Sequence, residues 1–229
     1  MLSEAEQDRI AQAVAAAEAR TSGEIMCVLT EEVSHYREIP LAWAAAAALI
    51  LPPLAIVAGA RLHLPSLSGG WIAAHGEPSG AGLWAGLWAG LWAYALAQAA
   101  VFALVAALGA VPAVRRRLTP RFLKARRARQ AAVRHFTGAA AHLKPGQTAV
   151  LIFAALADRQ MEIVAHDSID QAVGQDAWDR IVAEALAAIR AGGTAAGLVK
   201  AVELCGAVMA ERFPGEGAPN ALPDRPLQV

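Results

Sequence analysis

The sequence predicts an α/β fold: a small mixed β-sheet sandwiched by helices and interrupted by a two-helix transmembrane hairpin. Three observations carry this. Gly82 to Val111 holds no charged residue and opens with GLWAGLWAGLWA. A helix of that length, at about 1.5 Å per residue, more than crosses a hydrocarbon core of about 30 Å. A second apolar run, Leu41 to Ala60, precedes it. Outside these runs, short continuous apolar stretches alternate with amphipathic ones, the pattern of an α/β domain. The boundaries that follow are 1–39 for the first part of the domain and 40–114 for the hairpin. Residues 115–214 supply a basic juxtamembrane helix and the rest of the domain, and 215–229 form a Gly/Pro-rich tail expected to be disordered.

The elements follow in order. Ser3 and Glu6 form a capping box ahead of a helix over 3–20, with Ile10, Val14 and Ala17 at helical spacing. Thr21-Ser22-Gly23 stops it. Glu24 to Thr30 is a nearly unbroken apolar run with β-branched residues, which suits a strand covered on both faces. Glu31 to Pro40 is a polar connector containing His35, Tyr36 and Arg37. The first span carries Pro52-Pro53, tolerated in a membrane helix where neighbours satisfy the freed carbonyls. The 61–81 loop is rich in Gly, Ser and Pro.

After the second span the charge changes abruptly. Nine basic residues and no acidic one lie between Arg115 and Arg134, so the zero net charge of this 229-residue chain conceals an acidic remainder. Residues 115–140 read as a basic amphipathic helix with Leu118, Phe122, Ala125, Val133 and Phe136 on its apolar side. Arg115, Arg116, Arg117, Arg121 and Lys124 are expected to contact anionic lipid, each contributing about 1 kcal/mol near the surface. Nucleic acid is excluded as a partner, because neither interleaved aromatics nor a recognition motif accompanies the charge. The basic cluster directly after the second span places both termini and the α/β domain in the cytoplasm, at the bacterial inner (plasma) membrane.

Ala149 to Ala154 reads as a central strand, Ala157-Asp158-Arg159 as a turn, and Met161 to Ala165 as the returning strand. Asp167 to Asp176 is polar and turn-like. Asp176 to Ala191 is an amphipathic helix ended by Gly192-Gly193, and Thr194 caps a last helix reaching to Pro214. Cys27 and Cys205 lie in apolar contexts without CxxC spacing and read as buried hydrophobes.

Two blocks, LSEAEQDRIAQAVAAAEARTSGEI and the stretch from TAVLIFAALADRQMEIVA to VMAERFP, resemble the TPM-domain family. The matching pattern combines a helix ending in TSGEI, the strand LIFxxL, the DR turn, the strand EIVA and a final helix ending in RFP. It is most similar to a bacterial membrane-protein branch that carries a two-span insert. The resemblance implies an α/β/α sandwich. It also implies a range of roles: photosystem maintenance, acid phosphatase activity, or service as an auxiliary partner of a membrane receptor. One departure stands out. The family leads an expectation of a Thr/Arg-rich segment ahead of the LIF strand, where this chain has His142-Leu143-Lys144-Pro145-Gly146-Gln147.

Polar residues that could meet at strand ends are Asp158, Arg159, Glu162, His166, Asp167 and Asp170. Asp158, Arg159, Glu162 and His166 are the candidate catalytic residues. Asp158, Asp167 and Asp170 are the candidate ligands, through oxygen, for Ca²⁺ or Mg²⁺. The same residues also read as a solvated turn and as helix caps. His63 and His75 share the outer loop without a third ligand. Gly82, Gly86 and Gly90, at four-residue spacing, are a candidate packing face against the first span, another membrane protein or a second copy. Neither span contains an ionisable side chain of the kind a transport path uses. The expected function is therefore a membrane-anchored, non-enzymatic factor that binds, assembles or maintains other membrane proteins. The alternative is a metal-dependent acid phosphatase.

Overall fold

The strand at the centre of the sheet is β1 (Gly23–Thr30), and all eight of its residues are buried. It lies in a computed structural model that describes residues 2–33, 36, 38–59, 80–144, 146–215 and 221–229. The chain divides into two units, Met1–His35 with Pro120–Val229, and Tyr36–Thr119.

The first unit is built on a four-stranded mixed sheet in the order β3-β2-β1-β4. β1 pairs in parallel with β2 (Thr148–Ala155), Gly23 opposite Thr148 and Thr30 opposite Ala155. β2 pairs antiparallel with β3 (Gln160–Ala165). Apolar residues run without alternation in β1 and β2 because helices cover both faces. On one face lie α1 (Glu4–Glu18) and the long α7 (Gln175–Arg212). Ile10, Val14 and Ala17 of α1 meet Ile25, Cys27 and Leu29, together with Leu198, Val202, Cys205 and Met209. On the other face lies α5 (Arg121–Ala140), whose Ala128 and Ala132 pack on Met26, Val28, Leu151 and Phe153. The capping box at Ser3 is formed in both directions, Glu6 N–H to Ser3 Oγ at 3.3 Å and Ser3 N–H to Glu6 Oε2 at 2.8 Å.

The structure corrects four expectations. The basic segment is two helices: α4 (Pro112–Leu118), then α5, broken at Thr119-Pro120, where proline disfavours a helical residue before it. The buried stripe of α5 is Ala128 and Ala132, while Phe122 and Val133 face out. Small residues at i and i+4 let that helix approach the sheet closely, an advantage a hydrophobicity count overlooks. The 167–176 stretch is not a turn but contains α6 (Asp167–Val173), separated from α7 by Gly174 at φ 82°.

The fourth correction concerns the tail. Residues 216–220 lie outside the described residues. Residues 221–229 are ordered on the domain: β4 (Leu227–Gln228) pairs with β1, Leu222 is buried, and Leu2 N–H donates to Gln228 Oε1 at 3.1 Å. Arg225 also pairs with Asp8.

The second unit contains α2 (Glu38–Val57) and α3 (Gly80–Ala110), two long apolar helices packed as a hairpin pair, followed by α4. Pro40, Ala44, Ala48 and Pro52 make the buried stripe of α2, and Ala93 is buried on α3. Trp43 Nε1 donates to Leu118 O at 3.3 Å. Inside α3 the two polar side chains satisfy each other, Gln98 Nε2 to Tyr94 Oη at 3.2 Å. Leu49, Ile50, Leu54, Val57, Trp84, Trp88 and Trp92 are exposed. By length and composition α2 and residues 87–110 of α3 could each cross a membrane. α7 meets the same criteria, but Gly193, at φ 87°, divides it, and its apolar residues line the α/β core. The 61–81 loop with His63 and His75, and the connector residues His35 and Arg37, lie outside the described residues, apart from Gly80 and Ala81 at the start of α3.

Candidate functional site

The six polar residues picked from the sequence do not gather. Asp158 lies in the turn before β3, and His166 directly follows β3. A six-residue strand separates them, roughly 20 Å of extended chain. Asp167 and Asp170 belong to α6, at the His166 end. Among the described residues, no three His, Cys, Asp or Glu side chains come together as a metal site would need. The trio Asp158, Asp167 and Asp170 therefore does not fit one Ca²⁺ or Mg²⁺ ion.

Each end has a structural task. The β2–β3 turn is tied to the exit of β1: Leu156 N–H donates to Thr30 O at 3.0 Å and Ala157 N–H to Glu31 O at 2.8 Å. Asp158 points inward with a fully buried side chain, its Oδ2 accepting from Val33 N–H at 3.4 Å and its Oδ1 3.9 Å from Lys124 Nζ. The Lys124 side chain is only 13% exposed, so this lysine faces the domain instead of the lipid contact expected of it. Arg159 is exposed at φ 53°. At the other end His166 caps α6, its Nδ1 accepting from Ser168 N–H at 3.4 Å. Asp170 Oδ1 accepts from Trp178 Nε1 at 2.9 Å and fixes the start of α7.

Between these ends runs a groove along β3. A cavity of about 340 Å³ is lined by Arg129 of α5, Met161, Glu162 and Ile163 of β3, and Trp178, Asp179, Val182 and Leu186 of α7 among others. Glu162 lies 3.9 Å from Arg129, whose Nη1 also donates to Ile163 O at 2.8 Å. Burial pushes the Glu162 carboxyl above its ordinary range; Arg129 pulls it back and Asp179 pushes it further up. Glu162 is thus the candidate that lines this groove, and its companions there, Arg129, Trp178 and Asp179, were not singled out. Nothing in spacing marks Arg129 within a run of nine cations, and Trp178 reads as a core residue.

Glu24 and the two cysteines are closed inside the fold. Glu24, 2% exposed, accepts from the N–H groups of Ala221 and Leu222 at 3.1 and 3.0 Å. Burial pushes the Cys27 thiol up to about 12 and raises that of Cys205, so both stay protonated and unreactive. His135 stacks on Phe153 with ring centroids 5.8 Å apart. In the second unit, a side chain at Gly90 would meet open space. Among the described glycines of α3, the close approach is at Gly109, where a Cβ would stand 3.3 Å from Pro40 Cα. The side-chain surroundings of Gly82 and Gly86 lie outside the described residues. Arg115 and Arg116 are half-buried and Arg117 and Arg121 are exposed.

These features define a class of protein: an α/β/α sandwich with a pair of apolar, membrane-length helices inserted between its two parallel central strands. Residues 119–208 match the model of the TPM domain. That match covers the part of the chain that carries α5, β2, β3, α6 and most of α7. Among solved structures it is similar to the NMR structure of the BA42 protein from the psychrophilic bacterium Bizionia argentinensis, with 16% identity and a TM-score of 0.53 over 100% of this chain and 96% of that one. That likeness is one of fold. No curated protein matches the chain.

Proposed function

We propose that this chain is a membrane-anchored TPM-domain protein that binds or helps assemble other membrane proteins without catalysing a reaction. The observation that carries this reading is the groove along β3. It offers strand-edge backbone, an apolar wall and two carboxylates, Glu162 and Asp179, while the other acidic candidates are engaged in turns and caps. The exposed apolar side chains of α2 and α3 suit lipid as their surroundings. Arg115, Arg116 and Arg117, directly after α3, favour the cytoplasmic side for both termini, with Arg117 and Arg121 available to anionic headgroups. A second copy or another membrane protein packed on the face of α3 that carries Gly82, Gly86 and Gly90 agrees with the open space at Gly90.

Two measurements test this. The tagged full-length protein, cross-linked in intact cells and purified in detergent, should capture a reproducible set of membrane proteins. It should not hydrolyse p-nitrophenyl phosphate with either Mg²⁺ or Ca²⁺. Hydrolysis that Asp158→Asn abolishes would establish the phosphatase instead. A reporter fused after Val229 should be active only on the cytoplasmic side.

A further inference from the structure

The edge of the sheet at β3 is open in a definite pattern. His166 N–H donates to Ala149 O at 2.9 Å, in register with the pairing of Val150 and Ala165. Antiparallel ladders alternate, so Gln160, Glu162 and Val164 turn their backbone groups to β2. Met161, Ile163 and Ala165 turn theirs away from β2, and Met161 and Ile163 line the groove. The Arg129 bond to Ile163 O confirms that this carbonyl faces outward. An edge of this kind is a template for another strand, and natural proteins guard such edges with charged side chains. Here Arg129 is the guard.

The walls of the groove match what an added strand would present. Successive side chains of a strand point to opposite sides. On the α7 side, Met161, Trp178, Val182 and Leu186 form an apolar wall. Glu162 and Asp179 bring two carboxylates against the single guanidinium of Arg129, so the lining is net acidic. The volume, about 340 Å³, is at the small end of ligand pockets and suits a few side chains of a peptide.

We propose that this groove takes an extended peptide segment, which adds to β3 as a fifth strand and sets a lysine or arginine side chain against Glu162 and Asp179. The inference rests on the binding reading above and names the class of partner: a chain with an exposed extended segment and a basic residue within it. Main-chain hydrogen bonds supply affinity and the carboxylates supply selection, as in other strand additions. The incoming strand takes Ile163 O from Arg129, which then turns wholly to Glu162.

The test uses the full-length protein in lipid nanodiscs. The probes are two pools of capped heptapeptides with alternating Val and Thr, one with a central Lys and one with a central Glu. The Lys pool should be retained about tenfold better than the Glu pool, since charge complementarity selects the partner. Its binding should slow amide exchange at Met161 and Ile163. N-methylation of alternate peptide amides should abolish retention. Glu162→Gln combined with Asp179→Asn should erase the preference for Lys. Arg129→Ala, which frees the carbonyl and removes the positive charge, should tighten binding several-fold. Retention of neither pool, equal retention after N-methylation, or weaker binding by Arg129→Ala would overturn the inference. If these failed while wild-type protein still captured membrane proteins, the strand addition would be wrong and the binding function would stand. If peptides bound as described but no membrane protein were captured, the groove would stand and the assembly role would fall.

Discussion

Glu18 and Glu24 are six residues apart and have opposite fates. Glu18 Oε1 accepts the Ile25 N–H at 2.7 Å. Burial nevertheless pushes its carboxyl up to about 7, with Glu24 and Asp224 adding to the rise. An unfolded carboxyl titrates near 4.5. Between those values the folded chain holds a proton that the unfolded chain has released. Stability is therefore greatest below pH 4.5 as far as Glu18 is concerned, and its contribution is lost as pH rises to about 7. The group is partly solvated, so the loss is about 1–2 kcal/mol after screening. Thermal unfolding of Glu18→Gln should show that much less decline between pH 5 and pH 8 than the wild type; an unchanged decline would refute the assignment. Glu24 is instead closed under the C-terminal segment. Glu24→Ala leaves the N–H groups of Ala221 and Leu222 without their acceptor, at a cost of about 1–3 kcal/mol. Amide exchange at those two residues should accelerate at least about fivefold, the factor that about 1 kcal/mol represents. The sequence marked Glu24 only as a residue at a strand start. Its partners were illegible because they lie in a Gly/Pro-rich tail whose composition alone argues for disorder.

Helices were legible in proportion to how far their pattern ran along the chain. The capping box of α1, the break at Gly193 and both long apolar helices were readable because each is a local signal. Which faces meet was not. The repeat with Gly82, Gly86 and Gly90 draws attention, yet Gly90 faces open space, and among the described residues of α3 the close contact is made by Gly109 against Pro40. The proline-and-alanine stripe of α2, Pro40, Ala44, Ala48 and Pro52, was written in the sequence at the same four-residue spacing. Only the packing of the pair shows that it is the contact surface. Gly109→Leu should force α2 from α3 and cost about 1–3 kcal/mol, as overpacking does. Gly90→Leu should stay within about 0.5 kcal/mol in the isolated protein. Equilibrium unfolding in mixed micelles compares them, and equal effects would mean that Gly109 is not the point of closest approach. The groove was the least legible element, because it joins α5, β3 and α7, and no one of them carries a motif for it.

At the level of the molecule, the fold class followed from the arrangement of apolar runs, and the α/β unit keeps its own two cores on either side of the sheet. Replacing Tyr36–Thr119 with a flexible linker should therefore leave a soluble domain with a single cooperative unfolding transition, seen by circular dichroism. A broad or absent transition would show that the inserted helices are needed for the fold. What the sequence could not express is how late the sheet is completed. β1 is made before the hairpin, and both of its neighbours, β2 and β4, come after it. During synthesis the most buried strand of the domain is left with both edges bare while α2 and α3 are made. The making of the inserted helices is thus a waiting period for the α/β unit. A chain stalled at that point would leave the apolar strand GEIMCVLT exposed with both edges bare, which makes β1 the aggregation-prone segment of the unfinished domain.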